Sequence, residues 1–169
     1  PIDGYAFDYD WKDYGEDNYG EFRWNTDNFP SASSNALQQT MSAKGIKMIG
    51  ITKPRIVTTL EDGTQTQQGA YAQNHGFYYP GHYSYLDYFV PVTVQSIDPY
   101  QAAQRTWWWE HSQDAFDKGI VGWWNDETDK VSSNGAEYLF GNYTTLHISQ
   151  AMYEGQRSLS LIHISEPTR

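Results

Sequence analysis

The sequence predicts an α/β chain organised on a parallel sheet, of the barrel or the doubly wound kind. Three observations carry this expectation. Strand-like apolar runs alternate with helix-like ones, two strands run straight into carboxylates, and no repeat of about 20 to 50 residues points to a solenoid. The chain has 169 residues, enough for one domain with its own core but short of the roughly 250 of a closed eight-stranded α/β barrel.

The elements follow in order. Gly4 to Trp11 alternates Tyr5, Phe7 and Tyr9 with Ala6, Asp8 and Asp10, the period of a strand, here ending in acidic residues. After a polar aromatic loop, Ser33 or Ser34 can cap a helix through Leu37 and Met41 to Lys44, with Gly45 as its stop. Ile46 to Ile51 is a short apolar strand closed by Pro54. From Thr58 to about Tyr88 no period persists, which predicts a loop too long to be mere connection. Phe89 to Gln95 is a third strand. Asp98-Pro99 supplies a cap and a first-turn proline for a helix to Lys118, stopped by Gly119. Ile120 to Asn125 is a fourth strand, a turn lies around Ser132 to Gly135, and Tyr143 to Arg157 is loosely helical in spacing.

Composition narrows the function. With 21 acidic against 11 basic residues the formal net charge is -10, which repels a phosphate backbone, and no basic stripe interrupts it. Nucleic acid is therefore not an expected partner. No run is long and apolar enough for a membrane-spanning segment. Fourteen Tyr and seven Trp offer flat rings suited both to a core and to stacking on sugars, so carbohydrate is the expected substrate. Cysteine is absent, which removes disulfides and thiolate chemistry and fits a reducing cytosol and an exported bacterial protein equally. The compartment stays open.

The chemistry gathers at two strand ends, Tyr5-Ala6-Phe7-Asp8-Tyr9-Asp10-Trp11 and Gly122-Trp123-Trp124-Asn125-Asp126-Glu127-Thr128-Asp129. In a parallel barrel the C-terminal strand ends converge on one face, so acids from different strands can meet around one substrate. Glycoside hydrolysis needs such a pair, one carboxylate ionised and one protonated, and nearby tryptophan can tune them apart. Acids after strands are also ordinary loop and capping residues. Two rivals stand beside the hydrolase. Asp8 and Asp10 could hold Mg²⁺ or Mn²⁺ with His75, His82 or Asp98 in a metal-dependent hydrolase. Alternatively, Trp11, Trp24 and the run Trp107 to Trp109 could stack on glycans in a non-catalytic carbohydrate-binding or degenerate barrel protein.

The order of segments resembles the central part of glycoside hydrolase family 31. Members show a strand ending Asp-x-Asp-Tyr-Met, a Phe-x-Trp/Phe-Asn/Asp stretch, Phe-Pro, a helix, and a Gly-x-Lys strand leading to Pro. Here stand Phe7-Asp8-Tyr9-Asp10-Trp11, Phe22-Arg23-Trp24-Asn25, Phe29-Pro30, Gly45-Ile46-Lys47 and Pro54-Arg55-Ile56. An Asp-x-x-Asn-Pro-like stretch, a Trp-Trp helix and a strand reading Gly-x-Trp-x-Asp-Met-Asn-Glu are matched by Ile97-Asp98-Pro99, Trp107-Trp108-Trp109 and Gly122 to Asp129. The match covers nearly all of Pro1 to Arg157.

The resemblance implies about the first half of a (β/α)8 TIM barrel and a retaining, exo-acting α-glycoside hydrolase with no cofactor. It implies that Asp126 is the nucleophile forming a covalent glycosyl-enzyme. Asp10 would hydrogen-bond the sugar in the -1 subsite, with Asp8 and Trp11 beside it, and Trp124 and Ile56 would line that subsite. Glu127, Thr128 and Asp129 depart from the common Met, Asn and Glu. The Trp-Trp-Asn-Asp-Glu form resembles a branch that includes enzymes acting on α-linked N-acetylgalactosamine. The family's acid/base is an aspartate on a later strand, so this piece is expected to lack it and to be inactive alone. Ser158 to Arg169 resembles translated sequencing-adapter DNA and is expected to be foreign to the barrel, which would then occupy residues 1–157.

Overall fold

The computed structural model describes residues 2–13, 23–80, 84–87, 91–126 and 136–165. In chain order the elements are β1 Gly4–Phe7, α1 Ala36–Ala43, β2 Lys47–Thr52, β3 Arg55–Thr59, α2 Gln67–His75, β4 Tyr85–Leu86, β5 Thr93–Ser96, α3 Ala102–Asp117, β6 Ile120–Asn125 and α4 Ala136–Ser165. Two sheets form. β1, β2 and β6 make a parallel sheet in that spatial order, and β3, β5 and β4 make a small antiparallel one. The described residues are thus a partial (β/α)8 barrel, three parallel strands with their helices and no closure.

The parallel sheet follows the expected alternation. β1 feeds α1, whose C-terminus closes on Gly45 at φ 69, and the chain returns as β2 with Gly4 to Phe7 facing Lys47 to Gly50. β6 joins the other side of β2, with Gly50 to Thr52 facing Trp123 to Asn125 and an irregularity between Met48 and Ile49. Its boundaries are those read from the sequence. β1 is shorter than expected, because the Asp8 carboxylate accepts from the Tyr9 N–H at 2.8 Å and caps a single 3₁₀ turn, Tyr9–Trp11.

The segment expected to be a loop is structured. Only Lys53 and Pro54 separate β2 from β3, too few for a crossover into the same parallel sheet. The chain therefore leaves the sheet and pairs β3 antiparallel with β5. This also corrects the third strand: β5 is an antiparallel member of the excursion, not a strand of the barrel. α2 hides in a polar stretch, where Thr66 Oγ1 accepts from the Gly69 N–H at 3.0 Å and Gly76 ends the helix at φ 65. Asp98 does not cap α3. Its Oδ1 accepts from the Tyr100 N–H at 3.1 Å, shaping a turn, and Gln101 takes the cap position. At α1 the left-handed Asn35 sits there instead of either serine. The expected turn at 132–135 lies outside the described residues. α4 runs on through the expected foreign tail to Ser165, and Leu159 packs against the core.

Two aromatic clusters hold the layers together. Trp107, Trp108 and Trp109 on α3 pack with Ile56, Phe77, Ile97, Ile148 and Met152. Trp11 and Trp24 pack with Met48, Ile51 and Ile120. All five tryptophans are less than a tenth exposed, so their surface is committed to packing. That corrects the reading in which these rings stack on glycans.

Candidate active site

Parallel pairing sets the C-terminal ends of β1, β2 and β6 side by side, and the candidate residues lie along that edge. Asp126 follows β6 directly. Its backbone N–H donates to the carbonyl of Thr52 at 2.9 Å, which extends the β2–β6 ladder by one bond and fixes where its side chain begins. The carboxylate is about one-third exposed, and its Oδ2 stands 3.4 Å from Nζ of Lys53, whose side chain is 3% exposed. Lys53 in turn lies over the Tyr9 ring, 4.6 Å from its centroid. One ammonium group thereby ties the ends of all three strands.

Asp10 is exposed in the turn after β1, and its backbone carbonyl accepts from the Asn28 amide at 3.3 Å. Trp124 is exposed by 44% on β6, whereas its neighbour Trp123 is partly buried against the clusters. Trp124 is thus the more exposed of the two rings on β6. Trp11 is buried, and its indole N–H donates to the Ile51 carbonyl at 3.0 Å. Ile56 is fully buried in the α3 cluster. Asp8 caps its turn. The structure thus brings Asp10, Trp124 and Asp126 to the open edge and places Trp11 and Ile56 in the packing beneath it.

The contact between Lys53 and Asp126 was not legible in the sequence. There Lys53 is one lysine before a proline, and only the parallel register of β2 with β6 shows that it meets Asp126. The metal reading gains no cluster. Among the described residues no three His, Asp or Glu side chains gather as ligands would, and His75 is held at the Tyr71 carbonyl, 2.8 Å from Nδ1. His82 lies outside the described residues. Two surface cavities among the described residues lie elsewhere, one beside Lys47 and Gly119 and one between Asp13, Arg23 and Lys118.

A parallel sheet with helices between its strands and carboxylates collected at the strand ends defines part of a TIM-barrel enzyme domain. Comparison with known proteins makes this specific: residues 1–163 match the family model for the TIM-barrel domain of glycosyl hydrolases family 31, and the chain belongs to that family. It is 70% identical over 158 residues to a 1,6-α-glucosyltransferase of Sporosarcina globispora, covering 94% of this chain and 12% of that protein. The chain therefore spans about an eighth of that relative's length. Among solved structures it resembles a family 31 dextranase of Flavobacterium johnsoniae complexed with isomaltotriose. The TM-score is 0.72 and the identity 18%, over 92% of this chain and 20% of that one. It also resembles a family 31 α-xylosidase from a soil metagenome complexed with xylose, with TM-score 0.71 and 20% identity over 94% and 24%. Neither these structures nor the glucosyltransferase is described as acting on N-acetylgalactosamine. Among the described residues no helix is long and apolar enough to cross a membrane.

Proposed function

We propose that this chain is a segment of a longer retaining α-glycosidase or glycosyltransferase in which Asp126 is the nucleophile. The observation that supports the reading is the position of Asp126: it directly follows the C-terminal end of β6, pinned to Thr52, in the sheet whose other edge strand, β1, leads into the turn carrying Asp10. Its ionised carboxylate attacks the anomeric carbon and inverts it, and an acceptor inverts it again, so the product keeps the α configuration. Asp10 binds hydroxyls of the -1 sugar and Trp124 lines that subsite. Trp11, Asp8 and Ile56 hold the wall behind it. The acid/base comes from a later strand, and the 169 residues alone are inactive for want of it, since such a group typically contributes about 10²- to 10⁴-fold.

The name of the 70% identical relative favours an α-glucosyl donor and a sugar hydroxyl as acceptor over the N-acetylgalactosamine expected from the Trp-Trp-Asn-Asp-Glu motif. The test is to assay the full-length protein with aryl α-glucosides and α-glucans, with and without sugar acceptors, following product configuration by NMR. Retained α-configured products, lost in Asp126→Asn with binding preserved, support the reading. A folded, full-length protein silent on every α-glycoside returns the segment to a binding or degenerate barrel.

A further inference from the structure

We propose that Lys53 is a positioning residue that governs the second half of the reaction, the departure of the sugar from Asp126; this rests on Asp126 being the nucleophile. The geometry is that of a counter-ion at one oxygen. Lys53 Nζ stands 3.4 Å from Asp126 Oδ2, buried and braced over the Tyr9 ring. At that distance the contact is electrostatic rather than a short directional hydrogen bond, and it leaves the other carboxylate oxygen for attack.

The charge acts differently at each stage. Before attack the carboxylate is negative and Lys53 stabilises it, which works against its nucleophilicity. In the glycosyl ester Asp126 is neutral, and the buried ammonium has lost that counter-charge. When an acceptor oxygen attacks the anomeric carbon, the bond from that carbon to the Asp126 oxygen breaks and its electron pair returns to the carboxylate. The acceptor's proton passes to a carboxylate base elsewhere in the enzyme. Negative charge then grows beside Lys53 again, and this transition state is the one the ammonium favours over its ground state. Lys53 therefore limits how long the covalent intermediate survives.

The test uses the full-length protein and 4-nitrophenyl α-D-glucopyranoside, whose good leaving group keeps the first step fast. Lys53→Met is expected to lower kcat by about 10- to 100-fold, the usual size of a charge-assisted contact. KM should fall at least in proportion, kcat/KM should hold or rise because the carboxylate is no longer stabilised before attack, and a pre-steady-state burst of nitrophenol should appear or grow. Lys53→Arg should restore kcat. A merely structural lysine would instead lower kcat/KM without a burst, and that result, or unchanged kcat and KM, overturns the proposal. If Lys53→Met does not fold, Lys53→Gln carries the same measurement, and failure of both to fold shows a structural role and overturns it as well. An inactive wild type, or an active Asp126→Asn, sinks the nucleophile assignment instead.

Discussion

The Trp11 ring covers Gly50 so closely that a Cβ built on Gly50 would lie 2.9 Å from its Cε2 and Cζ2 atoms. The indole N–H donates to the Ile51 carbonyl at 3.0 Å from the same side. The turn after β1 is thereby clamped onto the end of β2, the strand that delivers Lys53 to Asp126.

Gly50→Ala should force that ring away. Overpacking of this kind costs about 1–3 kcal/mol, so the full-length protein should melt at lower temperature. Because the ring belongs to the turn carrying Asp10, KM for an α-glucoside should rise as well. A thermal melt together with steady-state kinetics checks both, and an unchanged melting temperature would show that the ring gives way freely.

Trp11→Phe keeps most of the apolar surface and removes the donor. The Ile51 carbonyl then loses a buried partner, a change worth about 1–3 kcal/mol. Slower amide exchange is not expected anywhere; faster exchange in residues 9–13 and 47–52 is, and hydrogen exchange measured by mass spectrometry reads it directly.

How far the sequence could be read follows from what fixes each element. β6 and the C-terminal stops at Gly45 and Gly119 were legible because they depend on local apolar runs and on glycines at positive φ, 69 and 100. That the acids Asp10 and Asp126 follow neighbouring C-terminal strand ends was legible, because such ends meet in a parallel sheet whatever the loops do, whereas the part given to Trp124 came from the family resemblance alone. The excursion through β3, α2 and β5 was not, since its helix rests on the Thr66 side-chain cap and its strands on pairing across some 35 residues, as between Thr58 Oγ1 and the Thr93 carbonyl. Neither leaves a period in the sequence. The ion pair of Lys53 with Asp126 was not legible for a related reason: the two are distant in the chain, and only the register connects them.

Arg55 and Asp87 form an ion pair inside the excursion, with both side chains less than a tenth exposed. Asp87→Ala would leave the guanidinium buried without that partner, a change that typically costs about 3–5 kcal/mol. Arg55 opens β3 and Asp87 follows β4, so the loss should release the antiparallel sheet first. Limited proteolysis of the full-length variant is expected to cut within residues 55–97 well before the barrel. Cleavage at the wild-type rate would show the pair to be dispensable.

The parallel sheet ends in β1 and β6, and among the described residues neither has a strand on its outer side. Tyr5, Val121 and Trp124 on these strands are 51%, 44% and 44% exposed. Unpaired edges bearing large apolar side chains invite association. The 169-residue chain expressed alone should self-associate and bind a hydrophobic dye, whereas a monodisperse, dye-silent monomer by light scattering would show the edges to be protected.

His111 gives the pH dependence. It lies on α3 with its ring edge-on to Trp107, centroids 5.4 Å apart, and burial holds its pKa below the ordinary 6.5. A depressed pKa means that the unfolded chain takes up the proton first, so the contribution is fully present above about 6.5 and is lost as the pH falls towards the folded value. Melting temperatures of the full-length protein should therefore drop between about pH 7 and pH 5. His111→Gln removes the titration while keeping a polar side chain, and the difference between variant and wild type should shrink on acidification; a constant difference across the window would mean that His111 titrates alike in the folded and unfolded states.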